Sequence, residues 1–287
     1  MRAFVPDYEL VNPSDLKSTL ALLQNEPNTW RPIAGGTDLM VLFESGKLPY
    51  RKLINVRNLA ELRGIDVHPD SITIGALTTY SQIRRHAVLA AEFPLLGLAA
   101  SWTGGVATQN RGTLGGNIVN ASPAADSPPA LLVYDAQIEL ISARSACWVP
   151  YTKFHTGYKQ IVMRSDELLS RIRLPRVTEG YKHYARKVGT RRAQAISKIC
   201  IAGLARMAGR TVTDVRISLG SVAPTVLRCH AAEAVVRGHE ITPEIIVAAQ
   251  AAIAQECAPI DDIRSTARYR RHVGMNLLAE FLGGMAA

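Results

Sequence analysis

Residues 34–38 read AGGTD, and residues 110–126 read NRGTLGGNIVNASPAAD. The apolar stretch Trp30-Arg31-Pro32-Ile33 runs into the first segment and the amphipathic stretch Leu39–Ser45 leaves it. A strand therefore ends and a helix begins across AGGTD. Glycine allows close backbone approach at such a junction, and a helix start carries N–H groups without intrahelical partners, a combination that suits phosphate. Thr37 adds a hydroxyl donor. Asp38 cannot favour an anion by charge, so its roles are to accept from a hydroxyl or to cap the helix. Taken alone, the segment also fits a structural glycine turn.

The second segment belongs to a longer run, Gly104–Gly116, rich in Gly, Thr and Asn, which predicts irregular or tightly turned backbone. A loop of this kind exposes main-chain donors and lets a bulky dinucleotide lie against the backbone. From the residues alone, a cofactor-binding loop and a structural Ω loop fit it equally. It is not a Rossmann fingerprint, because no GxGxxG stands at a strand-to-helix junction with an acidic residue about 20 positions on.

Further out, Pro13–Gln24 carries leucines at helical spacing behind Asn12-Pro13-Ser14, with Ser14 the candidate N-cap. Lys52–Val56 and Ser71–Gly75 read as strands, Leu59–Leu62 as a turn or short helix, and Thr79–Arg85 and Phe93–Ala100 as helices. Ala130–Tyr134, Gln137–Ser142 and Ala146–Pro150 read as strands. After Pro175 the texture changes to strands at Tyr181–Lys187, Ile199–Met207 and Val212–Val222, then helices at Ile241–Gln255 and Ser265–Leu282. The pattern predicts an α+β chain of two N-terminal pieces, 1–57 and 58–176, and a C-terminal unit, 177–287.

The chain has 287 residues, 47% hydrophobic and 20% charged, which is ordinary globular composition. No apolar run is long enough to span a membrane and MRAFVPDYEL does not resemble a secretory leader, so the cytoplasm is the expected compartment. Cys147, Cys200, Cys229 and Cys257 lack metal-site spacing, and they read as small buried or half-buried thiols. The net charge of +9 is spread along the chain, with Arg186–Arg192 its densest part. That distribution suits an anion-binding face or an acidic partner better than nucleic acid.

AGGTD and NRGTLGGNIVNASPAAD, with LRGI at 62–65, IGALTTYSQI at 74–83, PLLGLAA at 94–100 and DELLSRIRLP at 166–175, closely resemble the FAD-binding subunit of the xanthine dehydrogenase and carbon monoxide dehydrogenase family. The resemblance runs over essentially the whole chain. It implies a two-subdomain FAD-binding fold of the vanillyl-alcohol oxidase type, followed by a C-terminal α+β domain of the CO dehydrogenase flavoprotein type. It also implies FAD contacts at Pro32, Ile33, Ala34, Gly35, Gly36, Thr37, Asp38 and Leu39 on the first turn. Thr103, Gly104, Gly105, Thr108, Gly112, Thr113, Gly115, Gly116 and Asn117 are the implied contacts on the second segment. Asp126 matches the family's acidic position near the adenosine half, Leu168 and Leu169 the apolar contact, and Lys187 the lysine at the isoalloxazine edge. Where relatives place an aromatic ring over the flavin, this chain has Thr103, with Trp102 adjacent.

The family's partners are a large molybdopterin subunit and a small subunit with two [2Fe-2S] clusters. Electrons pass from those clusters to FAD and then to NAD or another acceptor, with xanthine dehydrogenase the nearest likeness. Neither a nucleic acid nor a membrane is an expected partner. One alternative is a self-contained flavin oxidase or reductase of the same fold, although no acid–base set for a substrate is legible; the other is the medium subunit of a CO, aldehyde or N-heterocycle dehydrogenase. No side chain is expected to be catalytic and no metal site is expected. His155 has no legible orienting partner, and its segment reads as a loop near cofactor or partner. Arg111 reads either as a cation serving the pyrophosphate or the flavin, or as a surface arginine.

Overall fold

The computed structural model describes residues 6–177, 179–191 and 194–286. Arg192, which closes the basic segment, lies outside the described residues.

Three strands, β1 (Glu9–Val11), β2 (Arg31–Ile33) and β3 (Lys52–Asn55), form a parallel sheet in the order β1-β3-β2. Parallel neighbours need crossovers, which α1 (Leu16–Asn25) and α2 (Leu39–Glu44) supply. The α1 cap is Asp15 and not Ser14: the Ser18 N–H donates to Asp15 Oδ1 at 2.7 Å. The carboxylate is the stronger acceptor of the two neighbours, and Ser14 Oγ itself donates to it. Leu20, Leu23, Trp30 and Ile54 close a small core that also takes in Leu62, Leu77 and Leu168.

A five-stranded antiparallel sheet follows. Its strands are β4 (Ile65–Val67), β5 (Ser71–Gly75), β6 (Gln137–Ile141), β7 (Ala146–Pro150) and, beyond the small hairpin β8 (His155–Gly157) and β9 (Gln160–Ile161), β10 (Leu168–Pro175). The spatial order is β4-β5-β10-β6-β7, so the last strand in sequence sits in the centre. Six short helices are inserted between β5 and β6: α3 (Tyr80–Arg85), α4 (Ala87–Glu92), α5 (Pro94–Trp102), α6 (Val106–Arg111), α7 (Leu114–Val119) and α8 (Ser127–Val133).

Two expectations fail here. Ala130–Tyr134 is helical, not extended: Pro128 and Pro129 set the first turn of α8, and all seven of its residues are buried. An apolar run buried on every side carries no periodicity to separate helix from strand. Gly104–Gly116 is not irregular either, since α6 and the start of α7 occupy most of it. The Thr113 hydroxyl accepts from the Gly116 N–H at 3.1 Å and so starts the second of these helices.

The remaining sheet is antiparallel: β11 (Lys182–Val188), β12 (Ile199–Ala208), β13 (Thr211–Gly220) and β14 (Leu227–Arg228). Both of its faces are covered. Ala202 and Leu204 of β12 join the core of the five-stranded sheet and its helices. Ile199 and Ile201 face α9 (His230–Val236), α10 (Pro243–Glu256) and α11 (Ala267–Ala286). Burial on both faces explains why ICIAGLA shows no alternation. Each fully buried aliphatic side chain contributes roughly 1.5–3 kcal/mol, so this layer binds the C-terminal helices firmly.

Helix α11 is also tied down by charge. Arg270, 5% exposed, donates to Asp262 Oδ1 at 2.5 Å and to the Ser221 carbonyl at 3.3 Å. Burial would raise the Asp262 carboxyl, but Arg270 and the Arg264 and Ser265 N–H groups outweigh it, bringing the pKa from 3.8 to about 2. A depressed carboxyl stabilises the fold above its unfolded value and loses that contribution as pH falls through the folded one. Asp262→Asn should therefore lower the melting temperature at pH 6, and the gap to the parent should close between pH 3.8 and about 2. A gap independent of pH would show that the carboxylate charge plays no part.

Candidate functional site

Between the two N-terminal sheets lies a cleft of about 250 Å³, near the lower end of the roughly 300–1,000 Å³ usual for ligand sites. The β2–α2 turn forms one wall with Pro32, Ala34, Gly35, Gly36, Thr37, Asp38 and Leu39. Thr103, Thr108, Gly112, Thr113, Gly115, Gly116 and Asn117 form the opposite wall, and Leu168 and Leu169 at the start of β10 close it. Two remote glycine segments are thus brought face to face.

Contact between them is direct. A Cβ on Gly35 would lie 2.0 Å from the Arg111 carbonyl oxygen and 2.7 Å from its carbon, so the first turn packs backbone to backbone on the end of α6. A Cβ on Gly115 would meet Ala76 Cβ at 2.6 Å, which seats α7 against the strand end at β5. Close approach, more than unusual dihedral angles, is what these two glycines supply.

The two segments divide the chemistry unequally. The N–H groups of Gly35, Gly36, Thr37 and Asp38 have no acceptor among the described residues, and they border the cleft. A row of free main-chain donors is a nest for an anion. The second segment spends its donors internally, contrary to the expectation of an open donor loop. Gly112 donates to the Thr108 carbonyl, Leu114 to Thr78, Gly115 to Ala76 and Asn117 to Thr113. Helix formation consumed two of them, and the stretch between β5 and α3 took the other two. That segment offers the cleft a smooth, small-residue surface and the side chain of Asn117, whose buried Oδ1 has no hydrogen-bond partner.

Five of the expected contacts do not line the cleft. Ile33 lies behind the turn, its carbonyl accepting from the Val56 N–H at 3.1 Å. Gly104 precedes the wall at positive φ, and Gly105 is covered by the Gln194 side chain. Asp126 and Lys187 lie outside the cleft lining. They pair with each other at 2.7 Å, with side chains 8% and 7% exposed. Ser197 Oγ donates to Asp126 Oδ1 at 2.6 Å, and Lys187 also donates to the Trp102 carbonyl at 3.1 Å. Two opposite charges shut away from water at this distance must satisfy each other. Burial nevertheless raises the Asp126 carboxyl, with Lys187 and Ser197 opposing the rise.

Asp38 does not cap α2, since its side chain makes no capping bond. Asn120 Nδ2 donates to Asp38 Oδ1 at 3.2 Å, and Lys159 Nζ donates to both oxygens of Asn120, at 2.7 and 2.8 Å. This chain of contacts fixes one lip of the cleft. His155 is spent on packing: its Nε2 meets the Ile118 carbonyl at 2.8 Å, its ring contacts Tyr151 and Phe154, and burial lowers its pKa.

Sequence reasoning missed Tyr80, Ala76, Leu77, Val56, Leu62 and Met163 as cleft walls. Tyr80 is the most telling. It is 2% exposed, its phenol pKa is raised by burial, and its Oη has no partner at hydrogen-bond geometry, although the Ser127 and Thr103 hydroxyls act on it. It lay in the quoted IGALTTYSQI, but one aromatic inside an apolar stretch carries no mark that separates core from cleft.

A cleft with a donor nest at the β2–α2 turn, which carries no Rossmann glycine fingerprint, defines a dinucleotide-binding flavoprotein architecture. Residues 6–177 match the family described as the FAD binding domain in molybdopterin dehydrogenase. Residues 184–285 match the CO dehydrogenase flavoprotein C-terminal domain. The xanthine dehydrogenase FAD-binding subunit of Escherichia coli O157:H7 is 32% identical over 262 residues, 90% of this chain and 89% of that one. The carbon monoxide dehydrogenase medium chain of Hydrogenophaga pseudoflava is 29% identical over 269 residues, 92% of each chain. A solved carbon monoxide dehydrogenase from Hydrogenophaga pseudoflava superposes with a TM-score of 0.92 at 28% identity, covering 96% of both chains. The chain belongs to this family, as an FAD-binding medium subunit of the xanthine and carbon monoxide dehydrogenase type, and FAD is its cofactor. The residues present fit that cofactor: a free donor row suits its pyrophosphate, and the unpartnered Asn117 Oδ1 suits one of its hydroxyl donors. Among the described residues, no group of three or more His, Cys, Asp or Glu side chains could hold a metal, and no helix is long and apolar enough to cross a membrane.

Proposed function

We propose that this chain is the electron-transfer subunit of a heterotrimeric, cytoplasmic molybdenum hydroxylase. In this reading it takes electrons from [2Fe-2S] clusters of a small partner and passes them to NAD or another acceptor, while a large molybdopterin subunit hydroxylates the substrate. The observation that carries it is the free N–H row Gly35–Asp38 facing the small-residue wall Gly112–Asn117 across one cleft. Bound FAD supplies the redox chemistry. This chain's residues bind and orient it: the N–H row and Thr37 hold the pyrophosphate, and Gly115 and Gly116 admit it against the backbone. Leu168, Leu169 and Leu77 exclude water, and Thr103 flanks the ring system. The Asp126–Lys187 pair acts at one remove, anchoring β11 to the Trp102 carbonyl beside Thr103. The division at 1–57, 58–176 and 177–287 belongs to the same reading, and the three larger sheets support it.

No set of acid and base side chains converges on the cleft, which favours an electron relay over a self-contained oxidase. Purified chain should show a flavin spectrum and release about one FAD per chain on acid treatment, the stoichiometry of a single cofactor cleft. Co-expression with the two partner subunits should then give a complex in which substrate reduces that flavin. A chain that oxidises an organic substrate without partners would support the alternative instead.

A further inference from the structure

A second cavity, of about 440 Å³, backs onto the first and shares Leu77 and Thr113 with it. Its charge is of one sign. Arg57 and Arg63 flank the turn after β3, Arg85 ends α3 and Arg111 ends α6, and all four line the cavity. No carboxylate lines it, and none of the four arginines makes an ion pair among the described residues. Their hydrogen bonds go to backbone carbonyls: Arg63 to Arg57, Arg85 to Ser81 at 3.0 Å, and Arg111 to Gly35 at 3.4 Å. Those bonds orient the guanidinium groups and leave most of their donors free.

The neutral lining points the same way. Asn110 Oδ1 accepts from Ser81 Oγ at 2.5 Å, which leaves the Asn110 amide hydrogens free. Gln82 Oε1 accepts from the Thr79 N–H and hydroxyl, which leaves the Gln82 amide hydrogens free. Thr113 Oγ1 accepts from Gly116, and its own proton is uncommitted. Oxygen acceptors are spent and donors remain, which is the inventory of an anion site.

We infer that this cavity binds a small diphosphate-bearing anion, beside the flavin and not in its place. Only the clause naming the flavin rests on the function proposed above. Three separate segments wall the site and recess Thr113, 6% exposed, among the arginines. A compact anion can meet both the exposed guanidinium groups at the mouth and the recessed Thr113 hydroxyl. A nucleotide diphosphate and inorganic pyrophosphate share the required chemistry.

Titration calorimetry on the full-length, FAD-loaded chain with inorganic pyrophosphate, ADP and adenosine tests the proposal. Both phosphates should bind saturably and weaken with salt, and adenosine should not bind. ADP tighter than pyrophosphate identifies a nucleotide as the source, and equal affinities identify the diphosphate alone. The double substitution Arg57→Ala, Arg85→Ala should weaken binding about tenfold or more while the flavin content holds. Arg268→Ala, which removes one exposed charge from α11, should leave affinity unchanged. The proposal is overturned if neither phosphate binds, if the double substitution has no effect, or if pyrophosphate binds only by displacing FAD. It is equally overturned if the double substitution impairs only assembly with a partner protein. Should the chain hold no flavin, the proposed function fails, and the same titration on flavin-free protein still decides the anion site.

Discussion

Gly35→Ala should strip the flavin and destabilise the chain in one step. The added methyl would sit 2.0 Å from the Arg111 carbonyl oxygen, and both colliding groups are backbone, so no rotamer change relieves the clash. The β2–α2 turn must move off α6, widening the cleft at the point where the free donor row begins. Overpacking of this kind costs about 3 kcal/mol. Gly97→Ala is the matched control: it lies within α5, and its new methyl would meet nothing within 4 Å. Exchanging a helix-interior glycine for alanine there should stabilise by roughly 0.5–1 kcal/mol. Urea melts read the stability, and absorbance of retained flavin reads the cofactor. If Gly35→Ala keeps its flavin and melts like the parent, the backbone contact is not what forms the cleft.

The Asp126–Lys187 pair gives the second large effect. Asp126→Asn strands a buried ammonium, and Lys187→Met strands a buried carboxylate; breaking such a pair costs about 3–5 kcal/mol. Burial raises the Asp126 carboxyl, so its folded pKa lies above its unfolded one. The sign follows: its contribution to stability is greatest in acid and is lost as pH rises through the folded pKa. At neutral pH the buried charge therefore costs more than its partners return. Removing both charges together should accordingly cost less than the sum of the single changes, by a coupling of roughly 1–3 kcal/mol in a double-mutant cycle. Additive losses would mean that the two groups act independently despite their 2.7 Å separation.

Much of this architecture was legible in the sequence, and the failures share a physical origin. AGGTD was readable because a short strand, a glycine turn and a helix leave distinct marks in order. The strands at Ser71–Gly75 and Gln137–Ile141 were readable from β-branched or alternating residues. Ala130–Tyr134 misled because α8 is buried on all sides, so its sequence reports burial and not period. Gly104–Gly116 misled because composition registers glycine but not the Thr113 cap that starts a helix within it. Strand β10 drew attention only through resemblance; its burial alternates imperfectly and its register with β6 shifts between Leu169 and Arg171. At the site, the first turn was legible because the strand, glycines and helix that build it are consecutive in sequence. Tyr80 and Leu77 were not, because what makes them cleft walls is the distant chain that stops short of covering them. Asp126 and Lys187 were each assigned a separate task, since nothing in one dimension says that positions 61 residues apart meet.

The central place of β10 has a consequence for the order of events on the ribosome. Before residues 168–175 emerge, β4 with β5 and β6 with β7 are only two separate hairpins, and an isolated hairpin is barely stable in water. The three-stranded sheet can form much earlier, from the first 55 residues. Leu168 and Leu169 are also part of the cleft wall. The donor row is thus made early, but the apolar side that shuts water out arrives only with the last strand. Synthesis itself postpones cofactor capture until more than half of the polypeptide has been translated, by which time its single destination is complete.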